Sequence, residues 1–298
     1  MKSLKVDIDD VIRKTSAMST ELQITKKGSI GFTRQYESKE LGSESIEFFD
    51  FREYTPQDNP KNIDWKASIR SGKMVIRQTI IEKDVEVIFA VDCGNSMLFG
   101  SVDKLKIENS VELTAALSHM LLHSGVSVGL ILYSDKVKDF VKPSFGGHQF
   151  EDIRRTLMNY QAFGGETNIN ISIPIIHSVA RPESVVIFIS DFIKFNEREI
   201  DIIKKIGNRC KVAGIMVRDI TDKNLPKGGY VIFEDPSEKE HLLINTSEIN
   251  EEYERIATKQ ENIISEGFTA INAALYKIYT NKNIVDNIKD ILSRNASV

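Results

Sequence analysis

Val85-Glu86-Val87-Ile88-Phe89-Ala90-Val91-Asp92-Cys93-Gly94-Asn95-Ser96-Met97 is a largely apolar run that stops on a carboxylate and breaks at a glycine. Such a short run, too brief for a helix of its own, reads as a strand buried on both faces. Further runs of this kind follow at Val126–Tyr133, at Val185–Ser190, which ends at Asp191, and at Val212–Val217. Between them lie helical patterns at Lys104–Ser124, Gln149–Tyr160, Asn168–Ala180 and Glu197–Arg209. Short apolar strands alternating with helices predict a parallel sheet covered on both faces.

The flanks differ. Residues 1–30 begin with Leu4, Ile8, Val11 and Ile12 at helical spacing. Residues 31–83 form a strand-and-turn region with an aromatic strand candidate, Ile46–Phe51, and turn signals at Pro56 and Asn59-Pro60. After residue 225 come two short strands, Tyr230–Phe233 and Leu242–Ile244, a long helical stretch over Glu248–Tyr279, and a last helix over Ile284–Arg294. Acidic residues dominate between Glu234 and Glu266. They read as a solvated helix face or as an acidic surface for a partner.

Composition narrows the function classes. With 298 residues, 41% hydrophobic and 28% charged, the chain is globular. Its 39 basic and 43 acidic residues give no global reason to expect nucleic acid. Two cysteines, Cys93 and Cys210, make no disulfide framework and read as buried thiols. The start of the chain carries no signal-peptide pattern, and no apolar run approaches the ~20 residues of a membrane span. A cytoplasmic protein is expected.

In open α/β sheets ligands gather at the carboxyl ends of the strands. Those ends carry Asp92 with Ser96, and Ser190-Asp191. Between them lies Gly164-Gly165-Glu166-Thr167-Asn168, a glycine-rich turn entering a helix. Two carboxylates with hydroxyls are hard oxygen donors, suited to Mg2+ or Mn2+ and not to zinc. The plainer reading is that each Asp caps the turn after its strand.

These strand ends resemble a von Willebrand factor A domain. There a strand ends in Asp-x-Ser-x-Ser, a Thr comes from a second loop and an Asp follows a later strand. Asp92, Ser96, Thr167 and Asp191 match, whereas Gly94 stands where the middle Ser is usual. The resemblance implies a divalent cation, held by Ser96 and Thr167 directly and by Asp92 and Asp191 through waters, with an open position for a partner's carboxylate.

A second resemblance covers roughly residues 25–298. Arg52-Glu53-Tyr54-Thr55-Pro56-Gln57-Asp58 leads to Asn62-Ile63-Asp64-Trp65-Lys66-Ala67-Ser68-Ile69-Arg70. This is similar to the signature of the domain-of-unknown-function-58 family, found in proteins associated with MoxR ATPases. Gln57, Lys61 and Gly94 depart from that pattern. Arg52, Tyr54, Asp64, Trp65 and Arg70 read either as a structural clamp, with Trp65 packed on the core and Asp64 paired to an arginine, or as a recognition surface for the partner ATPase.

Other chemistry lacks its motifs. There is no Gly-x-x-x-x-Gly-Lys-Ser/Thr loop and no Gly-x-Ser-x-Gly elbow. His119 and His123 are spaced four apart, but Met120 stands where a zinc protease has Glu. Asp92 could be the nucleophile of a phosphatase-like hydrolase, yet Gly94 stands where the general acid belongs.

The expected architecture is an α/β fold with a Rossmann-like A-type parallel sheet over residues 84–222. A strand-containing N-terminal extension over 1–83 and a helical C-terminal addition over 223–298 flank it. By resemblance, the function expected is that of a non-enzymatic adaptor or scaffold acting with a MoxR-type AAA+ ATPase in a chaperone-like or complex-maturation role. A metal-independent interaction module is the second reading and the hydrolase the third.

Overall fold

The computed structural model describes residues 4–24, 46–55, 60, 63–81, 86–226, 229–234 and 241–293. Pro56, Gln57, Asn59 and Lys61, singled out above, lie outside them. The chain forms two compact units, residues 33–84 and residues 1–32 with 85–298. The larger unit opens with helix α1 (Ile8–Ile24). The smaller unit contributes β1 (Ile46–Glu53), α2 (Trp65–Ser71) and β2 (Val75–Ile81). The larger unit continues with β3 (Glu86–Asp92), α3 (Lys106–His123), β4 (Ser127–Tyr133), β5 (Val137–Ser144), α4 (Gly147–Leu157) and α5 (Ile173–Val179). Then come β6 (Val185–Ser190), α6 (Glu197–Gly207), β7 (Lys211–Arg218), β8 (Tyr230–Glu234) and β9 (His241–Asn245). The last elements are α7 (Thr246–Thr269), β10 (Ala274–Tyr279) and α8 (Ile284–Ser293).

Six strands form the main sheet in the order β10-β7-β6-β3-β4-β5. All neighbours are parallel except β4 and β5, which run antiparallel. The predicted α/β class and mostly parallel sheet are therefore present, with two edge strands the sequence pattern did not separate. Alternation along β3 explains the layering. Val87, Phe89 and Val91 enter one core with Ile107 and Val111 of α3, Ile8 and Val11 of α1, and Ile284 and Ile288 of α8. Ile88 and Ala90 enter the other, with Ile176 of α5, Ile203 of α6, and Ile264 and Phe268 of α7. Helices thus cover both faces, and the first helix of the chain belongs to the main core. Both cysteines are buried and free, as expected.

The helix expected over Glu248–Tyr279 ends early. Ala273 donates its N–H to the Phe268 carbonyl, and Asn272 takes φ 53°, a left-handed conformation that asparagine tolerates better than most residues. Beyond it, β10 pairs with β7, burying Tyr276 and Ile278. Tyr and Ile favour strands, but six residues are too few to outweigh the helical pattern before them. Strand β5 was hidden because its residues are half-buried or exposed, as suits an edge.

The connection order places the site. From β3 the chain moves to β4 on one side and later returns to β6 on the other. The strand order therefore reverses between β3 and β6, and the crevice beyond their carboxyl ends is where such sheets bind ligands.

Asp219, fully buried after β7, ties these ends together. It accepts from the N–H and hydroxyl of Ser101, the N–H and hydroxyl of Thr221, and the hydroxyl of Thr280. Burial alone would raise its pKa; the donors from Ser101 and Thr221 outweigh it and hold the carboxyl at about 2. A depressed folded-state pKa gives stability that is present above the ordinary carboxylate pKa and lost as pH falls from about 4 toward 2. Asp219→Ala is expected to cost about 2–4 kcal/mol at pH 7. Urea unfolding at pH 7 and pH 3 should show the gap to wild type narrowing at the lower pH.

Candidate functional site

Asp92 ends β3 with no exposed surface. A buried carboxylate must be supplied with donors by the protein, and each comes from a different place. Oδ1 accepts the Gly94 N–H at 2.8 Å and the Thr167 hydroxyl at 2.9 Å. Oδ2 accepts the Ser190 hydroxyl at 2.7 Å. Burial foremost, and then the charge of Asp191, raise its pKa to about 7 against these three donors.

Gly94 has φ −68° and ψ 173°, a backbone any residue adopts, so its role is space. A Cβ there would lie 2.2 Å from the Thr167 hydroxyl oxygen and 3.1 Å from Asp92 Oδ1. Thr167 thus fills the volume where the resemblance has a serine side chain. The glycine turn before Thr167 is stitched to the same loop. Gly164 donates its N–H to the Cys93 carbonyl at 2.7 Å and Gly165 to Asn95 Oδ1 at 2.9 Å. Both N–H groups are consumed within the protein, so the turn is a clamp and not an anion cradle. Gly164 and Gly165 take φ of 109° and 95°, the left-handed side that glycine permits.

Asp191 follows β6 and is 2% exposed. Its Oδ1 accepts the Ile193 N–H at 3.1 Å and its Oδ2 the Lys106 ammonium at 2.8 Å. The next residue, Phe192, is buried at φ 54°, a strained conformation for an aromatic residue. Edge-to-face contacts with Phe195 and Phe268 hold it there. Lys106, in the first turn of α3, is 1% exposed and also reaches both oxygens of Asp222 at 3.3 Å. Burial raises the pKa of Asp222, and the lysine opposes that rise.

The structure therefore brings Asp92, Thr167 and Asp191 together. Ser96 sits half-buried in the 3-10 turn Asn95–Leu98, and no side-chain hydrogen bond among the described residues joins it to the other three. The resemblance implies Mg2+ or Mn2+ here. The residues present do not fit that set: a lysine ammonium already sits on Asp191 Oδ2, and the middle hydroxyl is absent, its space taken by Thr167. Among the described residues no group of three or more His, Cys, Asp or Glu is placed to hold a metal. Ser190, Lys106 and Asp222 lay outside the motif match. The one sequence signal for Lys106 is a lysine entering an otherwise buried helix.

The signature segment sits in the smaller unit. Arg52 lies in β1 opposite Ile76, with its side chain outside the described residues. Tyr54, half-buried, donates its N–H to the Met74 carbonyl at 2.8 Å. Asp64 caps α2 by accepting the Ala67 N–H at 3.0 Å. Arg70 is exposed, and Trp65, expected on the core in the clamp reading, is 63% exposed.

Gly94→Ala is expected to destabilise the protein by about 1–3 kcal/mol, because Thr167 must leave Asp92. Adding Thr167→Ala should recover part of that loss, so that chemical denaturation of the single and double variants shows clear non-additivity.

The model for "Protein of unknown function DUF58" matches residues 50–263. Uncharacterized protein Rv1480 of Mycobacterium tuberculosis is 23% identical over 300 residues, covering 98% of this chain and 92% of that protein. Uncharacterized protein Mb1516 of Mycobacterium bovis matches to the same extent. Among solved structures, an aerotolerance-related membrane protein from Bacteroides fragilis is similar with a TM-score of 0.46 at 16% identity, over 71% of this chain and 98% of that one. BatB from Bacteroides thetaiotaomicron has a TM-score of 0.44 at 15% identity, over 72% of this chain and 100% of that one. No helix among the described residues is long and apolar enough to cross a membrane. With the signature segment and the sheet's strand ends both inside the matched span, the chain belongs to the DUF58 family of proteins of unknown function.

Proposed function

We propose that this chain is a non-enzymatic adaptor that binds a MoxR-type AAA+ ATPase through the signature helix α2. The observation that carries the reading is exposure. Trp65 and Ile69 stand one turn apart on α2, 63% and 82% exposed, with Met74 just beyond at 51%. A large aromatic beside two aliphatic side chains in water is unfavourable for a monomer and typical of a contact centre. Lys66, Arg70 and Lys73, next to these residues in sequence, are also exposed, Lys73 at 3.4 Å from Glu53. That pattern suits an apolar groove with an acidic rim on the partner. The ATPase itself comes from the family resemblance, as does the chaperone-like or complex-maturation role.

Two further features support an interaction protein over an enzyme. Asp92, the nucleophile of the hydrolase reading, has no exposed surface, and both its oxygens accept protein donors. The reversal of strand order between β3 and β6 is in keeping with an A-type sheet, whose strand-end loops serve as contact surfaces.

Purified MoxR-type ATPase from the same organism and the full chain should bind in a calorimetric or interferometric titration. Trp65→Ala with Ile69→Ala is expected to weaken binding at least about tenfold, equivalent to about 1.4 kcal/mol. The melting temperature should stay near wild type, because both side chains are exposed. Arg70→Glu should slow association, most visibly at low salt. Unchanged affinity in the Trp65/Ile69 double variant would overturn this assignment.

A further inference from the structure

We infer that the Lys106 ammonium is the resident cation of the Asp191 and Asp222 carboxylates, so that this strand-end site holds its shape without a divalent metal.

Two carboxylates, Asp191 after β6 and Asp222 in the turn that follows β7, are each almost wholly removed from water. Buried like charges need a positive partner close by. In the fold that the strand ends resemble, a metal takes that part. Here Lys106 Nζ lies 2.8 Å from Asp191 and 3.3 Å from both oxygens of Asp222. Its position is built and not incidental. Its own N–H donates to the Phe99 carbonyl at 2.9 Å, and its ammonium sits 5.7 Å from the centre of the Phe99 ring.

The donor bookkeeping agrees. Divalent magnesium takes oxygen ligands at about 2.0–2.1 Å and keeps several waters. Here the Asp92 oxygens face Gly94, Thr167 and Ser190, and the Asp191 oxygens face Ile193 and Lys106. A second cation beside Asp191 would be repelled by the ammonium already fixed there. Thr167, packed into the space that Gly94 leaves, closes the place of the missing serine. Lysine and glycine thus compensate one another: the hydroxyl that a metal would need is gone, and a charge that makes the metal unnecessary is present.

The test uses the full chain with Mn2+ as the probe, read by loss of its free electron-paramagnetic signal and by melting temperature in Mn2+ against EDTA. Wild type is expected to leave the Mn2+ signal unchanged and to melt within about 1 °C in both conditions. Lys106→Gln removes the charge and should make the protein Mn2+-responsive, with a melting temperature about 3–5 °C higher in Mn2+ than in EDTA. Wild-type uptake of Mn2+ that Asp191→Asn abolishes would overturn the inference. Uptake unaffected by Asp191→Asn lies elsewhere on the surface and counts with the silent result. A folded Lys106→Gln that ignores Mn2+ also overturns it, since the carboxylates would then need no cation at all. If Lys106→Gln does not fold, the wild-type titration decides alone.

Discussion

A carboxylate with no access to water organises this protein. Asp92 is sealed at the carboxyl end of the central strand, and its oxygens must find their donors within the chain. They find them in the next turn at Gly94, in the loop before α5 at Thr167 and at the end of β6 at Ser190. Each donor constrains its neighbourhood. Thr167 requires the missing side chain of Gly94, and the loop that carries Thr167 requires left-handed backbone at Gly164 and Gly165. The Asp191 carboxylate beside it requires Lys106, and so draws the start of α3 and the turn holding Asp222 to the same edge. The edge is a network of mutual satisfaction, in which removal of one member strands the others.

Much of this edge was legible. Buried strands announce themselves by unbroken apolar runs, and the residues that end them, Asp92 and Asp191, follow from where the runs stop. Thr167 was legible through the glycine turn that carries it. What pattern could not supply was charge balance. Lys106 stands at the entry to α3, where a lysine ordinarily looks out into water, and only the three-dimensional placement of Asp191 and Asp222 turns it inward. The last sheet strand was hidden for a different reason. A short edge strand following directly on a long amphipathic helix is swallowed by the helix's periodicity until the turn at Asn272 is known.

The signature segment gives the opposite lesson. Tryptophan beside an aspartate invites a core reading, since tryptophan is costly to leave in water. In its own unit, Asp64 caps the first turn of α2, and the helix it starts shows Trp65 and Ile69 to solvent. Side-chain identity alone does not separate a residue that holds a fold together from one that holds a partner. The distinction lies in which face of a two-turn helix the rest of the unit covers, and here Ser68 is the covered position.

The order of strands in space differs from their order in time. Strand β7 has β6 on one side and β10 on the other, but β10 is synthesised only after the β8–β9 hairpin and the whole of α7. Helix α8, which contributes Ile284 and Ile288 to the same core as Ile8 and Val11 of α1, comes later still. While the chain emerges from a ribosome, the flank of β7 stays unpaired and α1 and α3 pack on β3 and on each other without α8. An open strand edge is a template for pairing with other chains. The edge of β7 is therefore open to such pairing until β10 has been made, and α8 then joins α1 in one core.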